Sequence, residues 1–307
     1  MEKRLVYLFL FVSILNLVVF VFRDFFQYVP YTTYNSLYDP CDEDCKKSWE
    51  GPGARYSQSE LAAGRKILDS VVRKLDPTAT KASAIASFLY KRFSSQIGSP
   101  STFIQTAEPL QQYLSLRDDK NQKLWCGNFG TMFFFFCRVE NIPCRTIEII
   151  NKGQNHIVNE FYDENSGTWV FTDAMNNLCL LKNSSGKYLN LIDFIKAFDS
   201  AAQNPYSQMG SGWSSLLSEN HIYRTYYSLQ SILYYYHDFD KEAVYSLSEK
   251  LKRYFLPVSW YKVYSKRDKV SFLFFCKSAL FLSWIVLLLL IIQKKIASMW
   301  RKKYYCA

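Results

Sequence analysis

A cysteine, a histidine and an aspartate stand in the order Cys126, His156 and Asp173 in the central part of the chain. A thiolate is a strong nucleophile, and an imidazole can take its proton and return it to a leaving group. A carboxylate can fix the imidazole tautomer and stabilise its charged form. This combination attacks a carbonyl carbon, forms an acyl-thioester and passes the acyl group to water or to an amine. We therefore predict Cys126 as nucleophile, His156 as base and Asp173 as the orienting group.

The residues after Cys126 predict a buried helix over 126–140, because the segment is apolar nearly all round. A thiol at a helix N-terminus beside an imidazolium has a lowered pKa, and the free N–H groups there can stabilise an oxyanion. Gly127 and Gly130 would let another chain segment or a substrate approach the first turn. Asn141 can adopt the left-handed conformation that ends a helix, and Pro143 cannot continue one.

Three predicted strands follow, at residues 145–150, 155–161 and 168–173. Residues 163–167 form a polar loop between the last two strands, which predicts a hairpin. With this loop centred between Glu164 and Asn165, His156 would lie directly opposite Asp173 on the same sheet face. A slip of one residue would place the two side chains on opposite faces, so the register decides whether they meet.

Four blocks carry a family resemblance: Trp125-Cys126-Gly127, residues 138–145 (RVENIPCR), residues 155–160 (NHIVNE) and residues 169–173 (WVFTD). Together they resemble the transglutaminase-like superfamily, within the wider papain-like thiol enzymes, in a membrane-anchored bacterial-type form. That family has a Cys opening a helix, an R-x-x-G-I-P-x-R junction, a His strand and a W-x-x-x-D strand end. The resemblance covers about residues 80–175. Asn141 stands where the family has Gly, and Ile157 and Val158 replace a small-then-aromatic pair.

The resemblance implies an α+β fold with a papain/transglutaminase-like core, in which a buried Cys-bearing helix packs on an antiparallel sheet with extra helices. It implies Cys126, His156 and Asp173 as catalytic residues, no cofactor, no metal, and a protein or peptide substrate. Relatives act as proteases or amidases, cross-link proteins, or serve as inactive scaffolds. Hydrolysis is favoured here over cross-linking, because nothing indicates an amine-donor site. Gln122 and Trp125 are candidates for an oxyanion-binding side chain.

Two other interpretations compete with the thiol enzyme. The first is a non-catalytic binding or assembly module on the same fold. The second is a purely structural membrane protein in which the three residues occur together by accident.

Two apolar runs lie near the ends of the chain. Residues 5–22 contain only Ser13 and Asn16 as polar interruptions, and as a helix they would reach about 27 Å, enough to cross a membrane. A cleaved signal peptide is the rival interpretation, but residues 23–28 offer no small-x-small cleavage site. Residues 270–292 end in four successive leucines followed by two isoleucines directly before Gln293, which favours a second span over a buried helix.

The basic flanks predict the orientation of these spans. Lys3 and Arg4 precede the first, and the tail after the second is basic without an acidic residue. We expect both termini in the cytoplasm and the main domain outside it. Cys41 and Cys45 could then form a disulfide or remain thiols.

The net charge of +10 lies largely beside the apolar runs, which fits a membrane surface better than nucleic acid. We therefore predict no nucleic-acid partner. The division of the chain that follows from these patterns is a cytoplasmic tail (1–4), a first span (5–22), an irregular arm (23–56), the transglutaminase-like domain (57–200), a Tyr-rich helical cover (201–269), a second span (270–292) and a basic cytoplasmic tail (293–307). Within it, helices are expected over 57–74, 82–95, 103–116, 188–198, 226–236 and 243–254.

Overall fold

The computed structural model describes residues 2–21, 32–38, 41, 43, 49, 56–199, 225–236, 261–265 and 272–305. These residues belong to two compact units. The smaller unit contains two long helices, α1 (Glu2–Val21) and α9 (Phe272–Tyr305). The larger unit contains the remaining described helices and strands.

The elements of the larger unit before the sheet are helical. They are α2 (Tyr34–Tyr38), α3 (Gln58–Leu68), α4 (Thr78–Phe93), α5 (Thr102–Thr106), α6 (Pro109–Asp118) and α7 (Cys126–Val139). The sheet and its accompanying helix are β1 (Cys144–Asn151), β2 (Gln154–Asp163), β3 (Thr168–Asp173), β4 (Leu178–Cys179), α8 (Leu191–Asp199), β5 (Ile232–Tyr236) and β6 (Tyr261–Tyr264).

The six strands form one antiparallel sheet in the order β4-β3-β2-β1-β5-β6. Side chains alternate between its faces, so Phe161 of β2 joins a core with the helices α3 to α7, whereas Val158 joins a second core. The second core contains Leu191 and Phe194 of α8 and Tyr227. The predicted α+β fold, with a buried Cys-bearing helix packed on an antiparallel sheet, is confirmed.

Helix α7 begins at the predicted residue and ends one residue before the predicted end. Asn141 has φ 55°, in the left-handed region. The backbone N–H of Asn141 donates to Arg138 and that of Ile142 to Cys137, at 3.1 and 2.8 Å. This pair of bonds closes the helix in the way expected after a left-handed C′ residue.

Three helix predictions are corrected by the structure. Helix α3 ends at Leu68, six residues before the predicted residue 74. The helix predicted over 103–116 is two helices, because Glu108 is extended (ψ 149°) before Pro109, which opens α6. The helix predicted over 226–236 is also wrong, since Ile232–Tyr236 is strand β5, paired with β1. The helix expected over 243–254 lies outside the described residues.

The arm over residues 23–56 is not wholly irregular. Its described part includes the one-turn helix α2, and Leu37, Cys41 and Trp49 are buried in the second core. Cys41 is disulfide-bonded, while Cys45 lies outside the described residues.

The hairpin register differs from the prediction by two residues. Asn159 pairs with Thr172 and Asp163 with Thr168, so the loop is centred between Asn165 and Ser166. His156 is therefore not directly opposite Asp173, and the register instead places Val158 across from Asp173. A shift of two residues keeps both side chains on the same face of the sheet, so His156 and Asp173 can still come into contact.

In the smaller unit, α1 and α9 pack together. The Phe9 and Trp284 rings stack at 5.7 Å, and Trp284 Nε1 donates to Ser13 Oγ at 2.8 Å. Each helix is long and apolar enough to cross a membrane, over Lys3–Phe20 and Phe275–Ala297. By length and composition, these helices support the two predicted spans.

Candidate functional site

The three predicted site residues come together in the larger unit. His156 Nε2 lies 2.8 Å from Asp173 Oδ2, and both side chains are buried. The Cys126 thiol is hydrogen-bonded to the His156 side chain and to the backbone of Ile157. Because Nε2 is directed at Asp173, Nδ1 is the ring nitrogen that remains for the thiol. The order is thiol, imidazole, carboxylate.

Asn128 fixes the first turn of α7. Its Oδ1 accepts from the Trp125 backbone N–H at 3.0 Å, which caps the helix that begins at Cys126. Its Nδ2 donates to the Ile104 carbonyl at 2.9 Å and to Gln112 Oε1 at 3.1 Å. The buried amide thus ties the helix start to both preceding helices.

Hydrogen bonds also fix the segment that leads into Cys126. Leu124 forms a parallel bridge with Ile97, and the loop before it is pinned by the buried side chain of Gln96. Gln96 Nε2 donates to the carbonyls of Leu116, Asp119 and Gln122 at 3.0–3.1 Å. These bonds satisfy backbone acceptors that burial would otherwise leave unpaired.

Gly130 allows α7 to approach β2. A Cβ at this position would lie 2.8 Å from Ile157 Cγ2, closer than real carbon atoms pack. At Gly127, by contrast, a Cβ would meet only Ile157 Cγ1, at an ordinary 3.9 Å. The expectation that these glycines admit a chain segment therefore holds most strictly at Gly130, and the segment is β2.

Strand β3 ends before it covers the edge of β2 that faces the Cys126 thiol. β3 stops at Asp173, so its ladder does not extend along β2 to Ile157. The Ile157 backbone N–H donates to the Cys126 sulfur and lowers the thiol pKa. A donor that would serve a longer sheet thus stabilises the thiolate.

Three donors converge on one carboxylate oxygen of Asp173. Oδ2 accepts from the Tyr227 hydroxyl at 2.6 Å and from Asn176 Nδ2 at 2.6 Å, besides its contact with His156. Oδ1 accepts from the Asn176 backbone N–H at 3.3 Å. Burial alone would raise the pKa of Asp173, but His156 and these hydrogen bonds lower it.

Two consecutive tyrosines enclose the imidazole. The Tyr226 ring stacks on His156 with centroids 5.0 Å apart and planes 20° apart. The Tyr227 ring meets the imidazole edge-on at 6.1 Å and is itself fully buried. A stacked π face favours a cation, so this arrangement suits an imidazolium.

The electrostatics favour a thiolate–imidazolium pair. Burial opposes charge on Cys126, but the hydrogen bond and charge of His156 outweigh it, and the pKa of the thiol is lowered. Burial likewise opposes charge on His156, but Asp173 and Cys126 raise its pKa to about 10. At neutral pH His156 is therefore protonated, and its positive charge favours the thiolate form of Cys126.

Two other free cysteines have the opposite properties. Burial raises the pKa of the Cys137 thiol well above its ordinary value and that of Cys179 to about 11. Neither thiol faces a histidine in the described structure. A raised thiol pKa is typical of buried cysteines that only pack, and it distinguishes both residues from Cys126.

The first turn of α7 offers donors for an oxyanion. The backbone N–H groups of Cys126 and Gly127 are first-turn donors that the helix itself does not satisfy. Of the two candidate side chains, Gln122 directs its Nε2 at Asp119 Oδ2, 3.2 Å away. Trp125 is 48% exposed beside the thiol.

Sequence reasoning missed Tyr226, Tyr227 and Asn176. Asn176 could have been found, because an Asp followed three residues later by Asn is a local capping pattern. The two tyrosines carry no such local signal, because they lie far along the chain from Asp173. Tyr227 is 54 residues away from it. Their segment was predicted as helix.

Comparison with known protein families adds one finding. Residues 65–174 match the family model described as the transglutaminase-like superfamily, whereas no curated protein and no solved structure matches the chain. The matched range contains Cys126, His156 and Asp173 and ends before the two tyrosines. Residues 65–174 are therefore a transglutaminase-like superfamily domain.

Proposed function

We propose that this chain is a membrane-anchored thiol enzyme that acts on peptide or amide bonds through an acyl-thioester on Cys126. The observation that carries the proposal is the contact series from the Cys126 thiol through His156 to Asp173 Oδ2. A buried structural cysteine has a raised pKa, whereas that of Cys126 is lowered despite its burial.

The proposed reaction uses each of these groups once in each half. The Cys126 thiolate attacks the carbonyl carbon, and the first-turn N–H groups of α7 hydrogen-bond to the developing oxyanion. His156 gives its proton to the leaving amine as the carbon–nitrogen bond breaks. Water then attacks the thioester and gives a proton to His156, which returns the thiolate and a carboxylic acid. An amine in place of water would give a new amide.

Protein or peptide substrates are proposed because the family resemblance points to them, and hydrolysis is favoured over transfer. The proposed location is a membrane with two spans, both termini cytoplasmic and the main domain outside. The apolar helices, the basic flanks and the disulfide-bonded Cys41 support this location.

The test is to trap the acyl-enzyme. The full chain in detergent is mixed with a p-nitrophenyl ester of a blocked glutamine peptide, and the intact mass is measured after acid quenching. We expect one acyl adduct, mapped to Cys126, and none in Cys126→Ala. His156→Ala should acylate at a rate lower by about 10²–10⁴. A well-folded wild-type chain without any adduct at Cys126 would favour the non-catalytic binding module.

A further inference from the structure

We infer that Tyr227 is a positioning residue of this site, which acts through Asp173 and comes from outside the family-matched domain. The inference rests on the proposed function and adds a fourth member to its machinery. Family resemblance ends at residue 174, whereas Tyr227 lies in the segment that enters β5.

The geometry of the contact is specific. The Tyr227 hydroxyl donates to Asp173 Oδ2 at 2.6 Å, the same oxygen that faces His156 Nε2 at 2.8 Å. Both side chains are fully buried. A buried carboxylate needs hydrogen-bond donors to stabilise its charge. Tyr227 supplies one of the two shortest hydrogen bonds to Asp173.

The Tyr227 ring is held independently of its hydroxyl. It packs edge-on against Phe171 at 5.8 Å, Phe194 at 5.0 Å and Phe198 at 5.8 Å. These aromatic contacts would persist in Tyr227→Phe, which removes only the donor. The ring therefore accounts for packing, and the hydroxyl remains available for a role at Asp173.

The hydroxyl has two chemical consequences. First, donation to Oδ2 keeps Asp173 ionised in a buried place, so the carboxylate can stabilise the imidazolium of His156. Second, with Asn176 it fixes the direction of the carboxylate, so Oδ2 stays on the Nε2 side of the ring. Without the hydroxyl, Asp173 becomes easier to protonate, and the thiolate–imidazolium pair loses its support at acid pH.

The test is the pH profile of Cys126 alkylation by iodoacetamide in the full chain, followed by peptide mapping. In Tyr227→Phe we expect the acid limb of the profile to move upward by about one pH unit. Tyr113→Phe, which changes another buried tyrosine in the opposite core, should leave the profile in place. Incorporating 3-fluorotyrosine at position 227 makes the phenol a stronger donor, so the limb should move downward; this variant keeps the ring if Tyr227→Phe folds poorly.

A second comparison separates positioning from general stability. In the Asp173→Ala background, adding Tyr227→Phe should cause no further shift, because the acceptor is gone. An unchanged profile in Tyr227→Phe, or an equal shift in both backgrounds, would overturn the inference. Failure of the proposed function looks different, since wild-type Cys126 would then form no acyl adduct with the p-nitrophenyl ester.

Discussion

His156 and Asp173 are joined by a 2.8 Å contact between Nε2 and Oδ2, although the hairpin register sets them two positions apart. The offset has a consequence for the third residue. Because β3 stops across from Val158, the Ile157 backbone faces Cys126 instead of a neighbouring strand. Direct opposition would have carried the β3 ladder past Ile157 and closed the position that the thiol occupies.

The close approach of α7 to β2 predicts opposite tolerance at two glycines. Gly130→Ala should destabilise the fold by about 1–3 kcal/mol, because its Cβ would lie 2.8 Å from Ile157 Cγ2. Gly127→Ala is the matched control. Its free energy of unfolding should stay close to that of the wild type, because its Cβ meets nothing nearer than 3.9 Å.

Chemical denaturation in detergent, followed by tryptophan fluorescence, measures both glycine variants. Adding Ile157→Ala to Gly130→Ala should recover part of the loss, because it removes the clashing methyl group. Equal stability of the two single glycine variants would show that the helix shifts freely on the sheet.

The buried pair of Arg145 and Glu160 predicts a large loss on neutralising one partner. Glu160 Oε2 accepts from Arg145 Nε and Nη2 at 2.8 and 2.5 Å, and both side chains are fully buried. Glu160→Gln leaves the guanidinium buried without a countercharge, so the free energy of unfolding should fall by about 3–5 kcal/mol. Denaturant titration measures this loss.

Two further variants check the cause of that loss. Asp118→Asn breaks an exposed pair with Arg117 and should leave stability unchanged. Arg145→Met combined with Glu160→Leu should be more stable than Glu160→Gln, because no charge remains buried. If the double variant were the less stable protein, the aromatic rings around Arg145, rather than the charge balance, would dominate.

The ring over His156 predicts a difference between two replacements of Tyr226. Tyr226→Leu removes the stacked π face, so the imidazolium is less favoured and the thiolate of Cys126 should form at higher pH. A shift of roughly half to one pH unit is expected in the acid limb of alkylation. Tyr226→Phe keeps the face and should keep the wild-type limb, so a shared shift would point to the hydroxyl instead.

The sequence predicted the parts of the site that depend on local pattern. The apolar run and Asn141 located α7, and the three predicted strands end within one or two residues of the ends of β1 to β3. The hairpin was placed two residues off in register, because loop centring depends on turn geometry such as the left-handed Gly167.

The parts that depend on distant partners were not accessible. The sequence of strand β5 predicts a helix, because closely spaced tyrosines fit a helix or a buried strand until a neighbour such as β1 is known. The role of Tyr227 depends on the same strand pairing, because its contact with Asp173 requires β5 to lie in the sheet. The sequence does not show the burial of Arg145, because its partner Glu160 lies on the facing strand.

The proposed topology predicts labelling from outside the cell. In a background that carries Cys126→Ala and Cys306→Ser, Ser184→Cys introduces a thiol at an exposed position of the larger unit. A membrane-impermeant maleimide should label it in intact cells, and permeabilisation should add little further labelling. Labelling that appears only after permeabilisation would reverse the proposed orientation.

The most direct test of the central claim is the pH dependence of Cys126 alkylation by iodoacetamide in wild type and His156→Ala. The pKa of Cys126 is lowered by His156 from its ordinary 9.0, so the wild-type thiolate persists as pH falls below that value. His156→Ala removes the support and leaves burial, which raises the pKa. The account predicts that the rate of alkylation of the variant at neutral pH falls by tenfold or more. Each tenfold corresponds to about 1.4 kcal/mol of lost thiolate stabilisation. Superimposable profiles would contradict the claim that His156 activates Cys126.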